Sequence, residues 1–127
     1  VPLDLQNYQV EPTELIGCEP EILMKKAPVD KIKVLSEHLK QAKRPVFLIG
    51  AGVSASGAVE ALKKFSTEHG VPIVYTHSAV DTVSQDFDNC VGSLGSQGAS
   101  RAGAFTVQNS DLLVVLANLQ EQQIFLR

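Results

Sequence analysis

Three short apolar runs constrain the fold of this chain of 127 residues more than any other feature. They are Val46–Ile49, Val71–Tyr75 (in which Pro72 replaces one aliphatic residue) and Leu112–Leu116. A strand that is apolar on both faces is typical of a parallel sheet with helices covering both sides. The chain is therefore expected to form a sheet whose central strands are buried on both faces.

Helical patterns separate the runs. Apolar residues at Ile32, Leu35 and Leu39 precede the first run at helical spacing. We expect further helices over about 56–68 and about 99–108, whereas the glycines of 78–98 predict a loop. Alternation of strands and helices implies right-handed crossovers. The prediction is a Rossmann-like α/β fold, a three-layer doubly wound parallel sheet in which the three runs are parallel neighbours or near neighbours.

Composition and charge exclude several classes of protein. Eleven basic residues against fourteen acidic ones leave a net charge of −3, which does not fit an electrostatic nucleic-acid binder. No apolar run approaches the length of about 18 residues that a membrane span needs. The two cysteines, Cys18 and Cys90, match neither a disulfide scaffold nor a zinc spacing. We predict a cytoplasmic protein with no nucleic-acid partner, no membrane partner and no metal site.

The ends of the chain indicate a piece of a larger protein. Residues 1–28 carry four prolines and no sustained period, so we interpret 1–6 as an extended segment and 7–28 as a linker. Regular structure is expected from 29 to 127, in a domain that lacks its last strands, since the chain has no initiator methionine and stops just after an apolar run. An incomplete sheet exposes an edge, which predicts a homodimer or a higher oligomer.

The glycine turn after the first run is the most informative candidate site. Gly50, Ala51, Gly52 and Val53 directly follow a buried strand and precede a helix, where free amides and the helix dipole favour an anion such as phosphate. The next glycine, Gly57, lies too far along for the dinucleotide fingerprint, and no Walker-type lysine follows. A turn that only packs the helix against the strand explains these residues equally well.

Further polar residues follow the other strands of the predicted sheet. In an open parallel sheet, ligands bind outside the carboxyl ends of the strands. Thr76 and His77 follow the second run, and a loop carrying Ser93, Leu94 and Gly95 could close over the same edge. No nucleophile with a base and an orienting group accompanies His77, so we assign no catalytic residue.

An ordered set of segments resembles one known family. Residues 39–53, followed by Ser56-Gly57-Ala58, resemble the opening of the central domain of thiamine-diphosphate-dependent enzymes of the acetolactate synthase type. The similarity continues in order through Pro72-Ile73-Val74, then residues 92–98, then residues 101–116. Residues 1–6 look like the last strand of the pyrimidine-binding domain that precedes it in this family.

The resemblance implies a larger enzyme of three domains that decarboxylates 2-oxo acids and joins the product to a second carbonyl compound. In that family one outer domain supplies a glutamate that activates the cofactor. The other supplies a Gly-Asp-Gly motif that holds Mg²⁺ and the diphosphate. This sequence contains no Gly-Asp-Gly. Thiamine diphosphate and Mg²⁺ are therefore expected in the larger protein only, with its other domains as partners, and this part is expected to be structural.

The resemblance also raises the question of FAD, which acetolactate synthases bind structurally in this domain. The matching positions here are Gly50 to Gly52, Thr76 with His77, and Ser93 to Gly95. The family usually continues from the last run as Leu-Gly-x-Arg, but this chain reads Leu116-Ala117-Asn118-Leu119. FAD is therefore an open expectation, and NAD is less favoured. Two alternatives also stay open: a stand-alone nucleotide-binding module, and a regulatory interaction domain of the same fold without a ligand.

Overall fold

The computed structural model describes residues 3–6, 8–11, 13, 17, 28–95, 98–117 and 124–126. The helices are α1 (Leu3–Gln6), α2 (Val29–Gln41), α3 (Gly52–Ala55), α4 (Val59–His69) and α5 (Arg101–Gln108), with a short 3₁₀ turn at His77–Ala79. The strands are β1 (Pro45–Ile49), β2 (Ile73–Thr76), β3 (Cys90–Leu94), β4 (Leu112–Leu116) and β5 (Ile124–Leu126).

The sheet has the strand order β3-β2-β1-β4-β5, with β1 at its centre. The strands from β1 to β4 are parallel, and Phe47 pairs with Ile73 on one side and with Val114 on the other. The chain runs outward through β2 to β3 and then returns to the opposite side of β1. This arrangement confirms the predicted doubly wound sheet and the parallel pairing of the three apolar runs.

Both faces of the sheet carry a core, as the unbroken apolar runs require. Alternate residues along each strand point to opposite faces, so Phe47 and Ile49 pack on one side and Val46 and Leu48 on the other. The first face packs against α4 and the apolar stripe of α2, and the second packs against Val107 of α5. Full burial of an aliphatic side chain in this way stabilises the fold by about 1.5–3 kcal/mol.

The structure corrects two predictions in the middle of the chain. Residues 90–94, expected to be loop, form β3, which pairs with β2 through a register shift that follows Ile73. The helix expected over about 56–68 begins later, at Val59, and a separate short helix that was not predicted, α3, precedes it; the turn that divides α3 from α4 contains Gly57, with a φ of 69°. A left-handed residue cannot continue a right-handed helix, so the division follows from Gly57.

One prediction about the ends differs from the structure. Leu3–Gln6 forms one helical turn and not the extended segment expected there. Ile124–Leu126 adds an antiparallel strand beside β4, which was not among the predicted strands, and the incompleteness of the domain stays a prediction. The predicted linker falls largely outside the described residues, and the division of the chain at residue 28 stays a prediction.

Candidate functional site

Three amides of the glycine turn are hydrogen-bonded within the protein. Gly50 N donates to Leu116 O at 2.9 Å, and Gly52 N donates to Ala117 O at 3.3 Å. Val53 N donates to Gly50 O at 3.2 Å, and the helix that starts here, α3, is only four residues long. The prediction of free amides at Gly52 and Val53 is therefore wrong. Phosphate binding by this turn stays a prediction, but it is no longer supported by free amides at these two residues.

Gly52 is a glycine because β4 ends directly against it. A Cβ placed on Gly52 would lie 2.8 Å from the Cβ of Ala117 and 3.0 Å from its carbonyl oxygen. Real Cβ atoms do not approach that closely, so the turn accepts no side chain at this position. The neighbouring residues of the turn divide between core and surface, since Val53 is 4% exposed and packs in the core whereas Ala51 is exposed. These contacts favour the interpretation in which the turn packs α3 against the sheet.

Thr76 joins the ends of two strands. Its Oγ1 donates to Ile49 O at 3.1 Å and lies 3.1 Å from Ser78 Oγ. His77 follows in the 3₁₀ turn and is exposed. Thr76 therefore fixes the carboxyl end of β2 to that of β1, and His77 has its ring at the surface of this edge.

Ser93 connects β3 to the start of α5. Its Oγ donates to Gly98 O at 2.7 Å, and its carbonyl accepts from Ser100 N at 3.0 Å. Ser100 in turn caps α5, because its Oγ accepts from Gly103 N at 2.9 Å. Gly95 is exposed and has open space where a Cβ would lie. This contact was not among the predictions, although a serine just before a helical pattern is a recognisable N-cap signal.

One small cavity brings three of the candidate residues together. It has a volume of about 90 Å³ and is lined by Tyr75, His77, Val80, Ser93, Leu94 and Gly98. Sites for drug-sized ligands usually measure about 300–1,000 Å³. The glycine turn lines a different space, of about 410 Å³, through Val53 on the side facing α2 and α4. The candidate residues thus line two different spaces, and FAD binding at these positions stays a prediction.

The shifted pKa values report structural contacts. Hydrogen bonds from Lys43 N, the larger cause, and from Arg44 N, both 2.8 Å long, hold the pKa of Asp111 below its ordinary value. This contact joins the amino ends of β1 and β4, opposite the candidate edge. Burial raises the pKa of the Cys90 thiol. No cluster of three His, Cys, Asp or Glu side chains suited to a metal occurs in the described ranges.

The comparisons with known proteins agree with the observed fold. A family model described as "Thiamine pyrophosphate enzyme, central domain" matches residues 32–124, which contain the four parallel strands β1 to β4. The chain belongs to this family. Thiamine pyrophosphate is another name for thiamine diphosphate, so the match confirms the resemblance found in the sequence.

The relatives of this thiamine enzyme domain carry two different names. A 3D-(3,5/4)-trihydroxycyclohexane-1,2-dione hydrolase of Bacillus velezensis is 37% identical over 84 residues, which cover 66% of this chain and 13% of that protein. The acetolactate synthase isozyme 2 large subunit of Escherichia coli is 30% identical over 118 residues, covering 91% of this chain and 21% of that protein. The acetolactate synthase large subunit of Pyropia yezoensis is 29% identical over 119 residues, 91% of this chain and 20% of that protein. The chain thus spans about an eighth to a fifth of these relatives.

Within the part of the chain that the structure describes, no helix has the length and apolar character that crossing a bilayer demands.

Proposed function

We propose that this chain is the structural central domain of a thiamine-diphosphate-dependent enzyme of the acetolactate synthase type. The whole enzyme decarboxylates a 2-oxo acid and ligates the product, and this domain catalyses nothing by itself. One observation carries the proposal: at the edge of a doubly wound sheet where a ligand would bind, several of the polar groups bond to the domain itself. Gly52 N donates to Ala117 O and Thr76 Oγ1 donates to Ile49 O, which are contacts that stiffen a scaffold.

The acetolactate synthase type is favoured over the hydrolase type by the extent of the similarity. The Escherichia coli and Pyropia yezoensis synthases align over 91% of the chain, whereas the Bacillus velezensis hydrolase aligns over 66% and another hydrolase of the same name over 81%. The hydrolase is the more identical within its shorter match. The proposal of a 2-oxo acid substrate and a carboligation step therefore depends on the longer alignments with the synthases.

The cofactors of the proposed enzyme bind outside this domain. Thiamine diphosphate needs a Mg²⁺ site, and this chain has no Gly-Asp-Gly segment. Such a site belongs to the other domains, which are the main partners of this one in a cytoplasmic enzyme. FAD is left out of the proposal because the turn amides are occupied and the cavity beside His77 measures about 90 Å³.

Self-association is part of the proposal. Phe105 on α5 is 68% exposed, and Val29 and Ile32 on α2 are 65% and 52% exposed. A contiguous apolar patch is typical of surfaces that are covered in an assembly, and the proposal takes these side chains as parts of such patches on α2 and on α5. We expect a dimer or a higher oligomer that buries at least about 1,000 Å² in total. A single monomeric species in sedimentation at high protein concentration would contradict this.

The experiment begins with the gene that encodes this chain. Sequencing the DNA on both sides should reveal a domain with an activating glutamate upstream and a domain with Gly-Asp-Gly downstream. The complete polypeptide should then release CO₂ from pyruvate when thiamine diphosphate and Mg²⁺ are supplied, and the chain of 127 residues alone should release none. Turnover by this chain alone, or flanks without those domains, would refute the proposal.

A further inference from the structure

We infer that two copies of this chain pair through the face of the sheet that carries α2 and α4. In this dimer, α2 of each copy lies against residues 80–89 of the other copy, a segment named here the acidic loop. The inference rests on the proposed self-association and names the surface that produces it. The exposed Phe105 of α5 lies on the opposite face of the sheet and belongs to a separate contact.

Three segments lie side by side on this face. Leu35 of α2, Leu62 of α4 and Phe87 of the acidic loop all pack on the same core. The helix α4 lies in the middle, because it lines a cavity of about 580 Å³ together with α2, and its Ser66 accepts a hydrogen bond from Asn89 at the end of the acidic loop. The order across the face is therefore α2, α4 and the acidic loop.

Opposite charges are collected on the two sides of this face. Residues 28–44, which contain α2, have five basic side chains and two acidic ones, whereas residues 65–100 have four acidic side chains and no lysine or arginine. In the middle, the two lysines of α4 pair with glutamates of the same helix, at 3.1 and 3.9 Å. Within the described part of the chain, neither α2 nor the acidic loop forms an ion pair. Their charges can therefore bind a second molecule.

The two sides also match along the direction of the strands. A short turn joins α2 to β1, so α2 runs antiparallel to β1, with Val29 toward the carboxyl end of the sheet and Lys40 toward the amino end. The acidic loop leaves β2 at the carboxyl end and enters β3 at the amino end, so Val80 lies at the first end and Asp88 at the second. Val29 and Val80 are 65% and 56% exposed. Each side thus has an exposed apolar residue near one end and a charge of its own sign near the other.

A twofold axis that runs parallel to the strands over α4 brings these sides together. It turns the second copy face to face with the first and keeps the carboxyl ends of both sheets at the same end of the dimer. Val29 then meets Val80, and Lys40 meets Asp86 and Asp88. An axis perpendicular to the strands would place α2 on α2 and oppose like charges. Charge complementarity therefore selects the parallel axis.

The face is large enough for a specific dimer. The helix α2 is about 20 Å long, and three segments about 10 Å apart make the face about 30 Å wide, so two copies bury about 1,200 Å² in total. A specific interface needs about 1,000 Å². The helix α2 has no fully buried residue, so it retains apolar surface to contribute to the contact.

Reversing the charges on each side tests this arrangement. One variant carries Lys33→Glu with Lys40→Glu, which lie two turns apart on the same side of α2, and the other carries Asp86→Lys with Asp88→Lys. All four side chains are exposed, so both variants should fold, and circular dichroism checks this. Each variant alone opposes like charges, and in sedimentation at about 0.02 M salt it should dimerise at least about tenfold more weakly than the wild type.

A mixture of the two variants provides the decisive measurement. Mixed in equal amounts, they should form a heterodimer as tight as the wild-type dimer, because each α2 again meets an acidic or reversed loop of opposite charge. Lys31→Glu with Arg101→Glu is the matched control: it makes the same change in net charge at exposed positions outside the contact, and it should associate as the wild type does.

Three results would overturn the inference while self-association itself stands. They are association that resists both reversals, variants that stay apart when mixed, and a control that is weakened as much as the reversals. A wild type that is monomeric would overturn the inference together with the proposed self-association.

Discussion

Replacing Ser66 with alanine tests how the end of α4 is joined to the sheet. Ser66 has no exposed surface, and its Oγ donates to Val71 O at 2.6 Å. The same Oγ lies 3.0 Å from Asn89 Nδ2, which donates to it from the segment before β3. The serine hydroxyl therefore connects a helix to the chain entering β2 and to the segment entering β3. The variant Ser66→Ala removes both hydrogen bonds and leaves the surrounding apolar packing in place.

The expected cost follows from what each partner retains. Val71 O loses the donor at 2.6 Å in a buried place, which costs about 1–3 kcal/mol for an unsatisfied polar group. Asn89 Nδ2 keeps its bond to Ser66 O at 2.8 Å, so its loss is small. Alanine favours the helix over serine by up to about 0.5 kcal/mol. We therefore expect a net loss of about 2 kcal/mol in the free energy of unfolding.

Urea unfolding monitored by circular dichroism measures this loss. Ser110→Ala is the matched control, because Ser110 Oγ also donates to a backbone carbonyl, that of Val107 at 2.8 Å, but from a partly exposed position. Water can replace that bond, so the control should lose less than about 0.5 kcal/mol. The Ser66 variant should also melt about 8 °C lower than the wild type. A loss below about 0.5 kcal/mol for Ser66→Ala, or equal losses for both variants, would refute the reasoning.

Three further predictions follow from named contacts. Because hydrogen bonds lower the pKa of Asp111, its contribution to stability is complete above its ordinary pKa and is lost as the pH falls below about 4. The urea midpoint of the wild type should thus fall more steeply with acid than that of Asp111→Asn, and parallel curves would contradict this. Gly103→Ala should lower the melting temperature although alanine is the better helix former, since its Cβ would meet the carbonyl of Ser93. Phe105→Ser should weaken self-association in sedimentation and change the free energy of unfolding by less than about 0.5 kcal/mol, and unaltered association would refute that role.

The central strands could be predicted from the sequence because their signal is local. Val46–Ile49 and Leu112–Leu116 are apolar at every position, and such short runs are typical of strands that are buried on both faces. The sequence of β3 contains no such apolar run. Cys90–Leu94 contains a glycine and a serine, and it is a strand because its backbone pairs with β2, with Gly92 at a φ of 136°. Pairing of that kind depends on a partner and leaves little trace in composition.

The sequence by itself also placed the candidate residues at the correct edge. Thr76 and His77 follow one apolar run and Gly50 to Gly52 follow another, so parallel pairing had to bring them to the same end of the sheet. The tertiary structure confirms that placement and brings His77 beside Ser93 and Leu94. In a parallel sheet, the residues that follow each strand lie at the same edge, so the positions of the strands in the sequence are enough to predict which residues reach it.

Only the tertiary structure decided what the glycine turn contacts. From sequence, Gly52 fits a phosphate and a packed strand equally well, because both need a residue without Cβ. In the structure, Ala117 packs against Gly52 although it is distant along the chain, and its carbonyl oxygen accepts the hydrogen bond of Gly52 N. A glycine in the sequence indicates that another group packs closely against the backbone at that position. Which group it is depends on the pairing between β1 and β4. That pairing is a property of the folded sheet, and no local pattern around residue 52 encodes it.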